Sequence, residues 1–186
     1  MSWRRYELVV AGVLLVVALA AGAAWAARGW LGTTRAELQA VTAPVTPGRC
    51  QSVDGLPDRA CTPGVADPRV TQDNILETIC VSGYTKKVRP PTLYTNALKR
   101  RQIGEYGYAD TNPADYEEDH LIPLELGGHP TDPRNLWPEP LHDPAHPAGA
   151  KDDIENSLHN KVCSGLMTLV AAQTAVATNW ESGSAL

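Results

Sequence analysis

The chain has 186 residues, a formal net charge of −5, four cysteines and no phenylalanine. No Cys-x-x-Cys pair, internal repeat or low-complexity tract occurs, which excludes the common zinc-knuckle, thioredoxin-like and solenoid classes. Once the unusual N-terminus is set aside, the rest suffices for one compact domain with a modest core.

Residues Leu8 to Ala27 form a run of 20 without a charge, preceded by Arg4 and Arg5. At 1.5 Å per residue such a helix covers about the 30 Å of a bilayer's hydrocarbon core. Residues 1–27 therefore read as a membrane anchor or a signal peptide; the length favours the anchor, and Ala24-Trp25-Ala26 offers a cleavage site. Residues 28–49 mix Thr, Ala, Gly and Pro and read as a linker. The folded domain is expected over 50–186.

An even cysteine count behind an export segment points to two disulfides. Three pairings are possible. Cys50–Cys61 would close a short Pro-, Gly- and Asp-containing loop that has little else to order it, leaving Cys80–Cys163 to tie the start of the domain to its last helices.

Helical spacing is expected from Thr71 to Val81 and from Thr92 to Gln102. Six basic residues (Lys86, Lys87, Arg89, Lys99, Arg100, Arg101) and no acidic one lie between Lys86 and Arg101. This strip could hold a phosphate backbone. Thirteen acidic residues against two basic ones follow between Glu105 and Glu155, a density of carboxylates suited to a metal.

Eight of the fifteen prolines lie between Pro113 and Pro147, which nearly excludes long helices there. Asp119 to Leu126 is expected as a strand ending at Gly127-Gly128, with Asn135-Leu136-Trp137-Pro138 as the returning arm. Ala148 to Cys163 has Ile154, Leu158 and Val162 at helical spacing, and Thr168 to Trp180 completes the chain as a last helix. The fold class is α+β. Trp137 and Trp180 are expected as core or interface aromatics, and His129 as a solvated loop residue.

The run Tyr116-Glu117-Glu118-Asp119-His120-Leu121-Ile122-Pro123-Leu124-Glu125-Leu126-Gly127-Gly128 followed by Asn135-Leu136-Trp137 resembles the signature of the HNH, or ββα-metal, nucleases. Asn135-Leu-Trp-Pro-Glu-Pro together with Lys151-Asp152, Glu155-Asn156 and Leu158-His159 resembles a group of small exported bacterial proteins of that type. The resemblance implies a hairpin-and-helix core with flanking helices. It also implies hydrolysis of nucleic-acid phosphodiesters, DNA before RNA, outside the cytoplasm, with membrane attachment through the N-terminal helix. In this reading His120 is the general base, and Asn135 steadies the hairpin and base. Asp119 and His159 hold one divalent ion: Mg2+ first, with Mn2+, Ni2+ or Zn2+ as alternatives. The spacing from Asn135 to His159 is longer than usual, so Asn156 and His146 remain alternative ligands. The competing reading is a catalytically inactive extracytoplasmic binding module on the same scaffold.

Overall fold

The computed structural model describes residues 35–181. The apolar run Leu8–Ala27 lies outside them. Among the described residues, no helix is long and apolar enough to cross a membrane. The chain divides into two units, Met1–Gln39 and Ala40–Leu186, and the second is the folded domain.

The regular elements of this domain are α1 (Tyr84–Val88), α2 (Thr92–Tyr106), β1 (Tyr116–His120), β2 (Leu136–Pro140), α3 (Ala148–Cys163) and α4 (Leu169–Asn179), with short 3-10 turns between them. The architecture is α+β, with one two-stranded antiparallel sheet. Tyr116 pairs with Pro140, Glu117 with Glu139, Glu118 with Pro138, Asp119 with Trp137 and His120 with Leu136.

α3 keeps the predicted bounds, because Pro147 precedes its first turn and Gly165, with φ of 75°, follows its end. α4 begins after Thr168, whose side chain accepts from the Ala171 amide. The region expected to be helical from Thr71 holds only a 3-10 segment, Gln72–Glu77. The helix starting at Thr92 runs four residues past its expected end, to Tyr106.

The strand expected over Asp119–Leu126 lies earlier, at Tyr116–His120. The residues after it are buried almost without alternation: Leu121, Ile122, Leu124 and Leu126 all enter the interior. A half-buried strand would bury every second one, so this stretch instead coils around Pro123 into a 3-10 turn at Leu124–Leu126. Within the stretch read as linker, the Gly48 amide donates to the Gly104 carbonyl, and Arg101 Nε donates to the Ala43 carbonyl. Its last residues thus run along α2.

The larger core joins Leu158 and Val162 of α3, Leu169, Ala172 and Val176 of α4, Trp180, and Ile122 and Leu126 of the loop, with Val70, Ile75 and Ile79. Each valine, leucine and isoleucine side chain among them contributes about 1.5–3 kcal/mol by leaving water. A smaller core joins Cys50, Tyr106 and Trp137, where α2 packs against both strands. The two disulfides are Cys50–Cys61 and Cys80–Cys163. The second spans 83 residues of sequence and ties the segment before α1 to the last turn of α3.

Candidate functional site

The loop between the two strands is organised by one buried side chain. Asn135 Oδ1 accepts from the amides of Val65 (3.1 Å) and Ile122 (3.0 Å). Its Nδ2 donates to the carbonyls of Ile122 (3.0 Å) and His129 (3.1 Å). An amide offers two donors and two acceptor lone pairs, so its bonding capacity is filled. Gly128 completes this closure: a Cβ there would stand 1.7 Å from the Ile122 carbonyl oxygen, so the chain can come this close only at glycine.

The same loop fixes His120. The imidazole, at the end of β1, is buried, with Nε2 3.0 Å from the Pro130 carbonyl oxygen. A carbonyl only accepts, so Nε2 carries the proton and Nδ1 is left as the basic nitrogen. Burial lowers the imidazole pKa, and the charges of Arg89 and Lys151 act the same way against the opposing pull of the Pro130 carbonyl and Asp119. The ring is therefore neutral near neutral pH, the state a base requires. His129, expected in solvent, instead accepts at Nδ1 from the amides of Thr131 (3.3 Å) and Asp132 (3.0 Å). It shapes the turn that presents Pro130.

Next to His120, Asp119 Oδ2 accepts from Trp137 Nε1 at 3.1 Å and from Lys151 Nζ at 2.8 Å. Lys151, from the first turn of α3, is fully buried. Its ammonium has three partners: Asp119, Glu155 on the same helix, and the His120 carbonyl oxygen at 3.3 Å. Burial alone would favour the neutral amine, but the carboxyls of Asp119, Glu155 and Glu139 outweigh it and hold the pKa above that of an ordinary lysine.

The surrounding acids show the opposite effect. Burial, followed by the charge of Asp119, pushes Glu139 up to about 9. Glu155 rises to about 8, again through burial and despite Lys151. Glu117, opposite Glu139 in the register, is raised by burial and by Asp119. On the other face of β1, Glu118 has both oxygens buried without a hydrogen-bond partner, and burial raises its carboxyl well above the usual range. Nothing in the structure assigns it chemistry.

The proposed ligands do not gather at Asp119. His159 lies two turns beyond Lys151 on α3, about 12 Å along the axis. Its Nε2 stands 3.0 Å from the Ile79 carbonyl oxygen and 3.4 Å from Cys163 Sγ. It lines a cavity of about 290 Å3 with Glu125 and residues 79–85. Asn156 is exposed and donates to the Asp152 carbonyl, and His146 Nδ1 pairs with Glu181 at 2.6 Å. The residues that α3 brings to Asp119 are Lys151 and Glu155.

The ligand pair expected for a divalent ion, Asp119 with His159, is therefore not assembled at Asp119. Among the described residues, only Cys80, His159 and Cys163 bring three ligand atoms within 4.8 Å of one another. The two sulfurs there are joined as a disulfide and are not thiolates. At Asp119 a doubly charged ion about 4 Å from the Lys151 ammonium would meet a repulsion on the order of 8 kcal/mol at an effective dielectric constant of 20.

The basic strip is also divided. Lys86, Lys87, Arg89 and Arg100 are exposed. Lys99 Nζ donates to the Tyr116 carbonyl at 2.7 Å, and Arg101 pairs with buried Glu105 at 2.7 Å. Consecutive helical residues point about 100° apart, so Lys99, Arg100 and Arg101 cannot share one face. Trp137 and Trp180 are both buried, as expected, and Trp180 Nε1 donates to the Gly55 carbonyl.

Comparisons with models of known families, with curated proteins and with solved structures found no match.

Proposed function

We infer that this domain is a phosphodiesterase of the HNH, ββα type, acting on nucleic acid outside the cytoplasm. The observation that carries the reading is His120: a neutral, buried imidazole at the end of β1, with Nε2 committed to the Pro130 carbonyl and Nδ1 left as the base. Asn135 holds the loop that supplies that carbonyl, and α3 follows the hairpin in chain order. In the reaction, Nδ1 takes a proton from water as the water oxygen bonds to phosphorus and the ester oxygen leaves with its electron pair. Exposed Arg89, whose charge reaches His120, is suited to hold a phosphate beside the base, with Lys86, Lys87 and Arg100 available to neighbouring phosphates. The two disulfides fit an oxidising compartment, in keeping with a domain carried outside by the N-terminal segment.

The test is plasmid and RNA cleavage by the full chain in detergent, with divalent ions and with chelator. Wild type should cut, and His120→Ala should lose about 100- to 10,000-fold in rate while its circular dichroism is unchanged. The second reading, a binding module on the same scaffold, is favoured by the extent to which Asp119 is already engaged by Lys151 and Trp137. It wins if wild type binds nucleic acid and cuts nothing under any of these conditions.

A further inference from the structure

Three oxygens converge on one point beside His120: Asp119 Oδ2, Glu155 Oε1 and the His120 carbonyl oxygen. Two carboxyl groups and a backbone carbonyl offer the oxygen donors that a hard divalent cation takes, once Glu155 gives up its proton. At their centre stands the Nζ of Lys151. Its three N–H groups face three acceptors, so the ammonium is fully used. Glu139 and Glu117 surround the same charge at longer range.

We propose that Lys151 is the resident cation of this centre, occupying the place where Asp119 would otherwise hold a divalent ion. It is a positioning residue. Buried and triply bonded, it cannot reach a substrate, but it joins the end of β1 to the first turn of α3 and supplies the positive charge beside the base. The centre therefore takes up no divalent ion in the native chain, and removing the ammonium unmasks a cation site built from Asp119, Glu155 and the His120 carbonyl. Only the statement that the centre operates without an ion rests on the phosphodiesterase reading; the ion-binding statement is independent of catalysis.

The experiment is a Mn2+ titration of the full chain in detergent micelles, following loss of the free-ion electron paramagnetic resonance signal. Asp119→Asn should leave wild-type Mn2+ uptake unchanged. Lys151→Ala, which removes the charge and opens space, should gain one site binding about tenfold or more tighter than anything in wild type. The double variant with Asp119→Asn should lose it. Lys151→Met, which fills the space with an apolar chain, should not gain it. Wild-type uptake of one Mn2+ that Asp119→Asn abolishes would overturn the proposal, as would a folded Lys151→Ala chain that gains no site. If Lys151→Ala does not fold, the wild-type and Asp119→Asn pair still decides, because an Asp119-dependent ion in the native chain is incompatible with a resident ammonium. Cleavage of nucleic acid that persists in chelator supports the catalytic part, and cleavage that stops in chelator and returns with Mn2+ refutes it. A chain that binds Mn2+ as expected but cuts nothing overturns the phosphodiesterase reading and leaves Lys151's role as resident cation standing.

Discussion

Replacing Asn135 with alanine removes one side chain and leaves four backbone groups without their partner: the amides of Val65 and Ile122 and the carbonyls of Ile122 and His129. Each bond contributes a net of about 1 kcal/mol, and an unsatisfied buried group costs about 1–3 kcal/mol. A loss of about 4 kcal/mol is expected, a large part of the roughly 5–15 kcal/mol that holds such a domain folded. Urea unfolding followed by circular dichroism should give a midpoint lower by about 2 M, for a slope of about 2 kcal/mol per molar. Asn135→Asp keeps the acceptor side but aims a carboxylate at two carbonyls, so it should recover little above neutral pH. The same substitution loosens the chain at His129 and Pro130 and therefore the carbonyl on His120 Nε2. Burial is the largest cause of the lowered imidazole pKa and the Pro130 carbonyl opposes it, so exposure of the ring to water should outweigh loss of that bond and bring the NMR titration closer to the ordinary histidine value of 6.5. A destabilisation below about 1 kcal/mol with an unmoved His120 titration would refute the claim that Asn135 organises this loop.

Glu139 holds its proton in the folded chain up to a pKa of about 9, against 4.5 when unfolded. Its contribution to stability is therefore complete at low pH and declines as pH rises from about 4.5 to about 9; Glu139→Gln should flatten that decline by up to about 1.4 kcal/mol per pH unit in urea melts taken across the range. Replacing Cys80 and Cys163 together by serine should cost about 4.5 kcal/mol on the loop-closure relation for a separation of 83 residues, against about 2.8 kcal/mol for Cys50 and Cys61 at a separation of 11. Calorimetry of the two double variants should rank them in that order.

Much of the frame is legible in the sequence because it depends on local signals. α3 carries its apolar stripe between Pro147 and Gly165, and the disulfide pairing follows from loop length and the even cysteine count. Periodicity misplaces the strand because Leu121, Ile122, Leu124 and Leu126 are all apolar and buried, and so short an apolar run reads the same as a strand. His120 and Asn135 lie in one short continuous motif, so the sequence exposes them together. His159 draws attention as a histidine on the helix after the hairpin, but a helix reaches a given point with only one of its turns. Lys151 and Glu155 escape notice as site residues. The available signal is their position: 151, 155, 158 and 162 form one buried stripe, and a charged pair heading such a stripe must find partners inside. Sequence alone cannot supply that partner, since Asp119 reaches Lys151 across 32 positions.

The Cys80–Cys163 bond also has a topological consequence. Residues 80 to 163 form a closed covalent ring, and within it lie Arg89, Glu117, Asp119, His120, Asn135, Glu139, Lys151, Glu155 and His159. The Pro-rich connection from Leu141 to Pro147 between β2 and α3 is made of exposed and half-buried residues, which makes it a natural target for a protease. A single cut there opens the ring but cannot release either half: the hairpin stays tethered through Cys80, and α3 through Cys163. A nicked molecule therefore keeps the base and its lysine on one covalent assembly. In surroundings rich in proteases, that allows the centre to outlast the integrity of its own backbone.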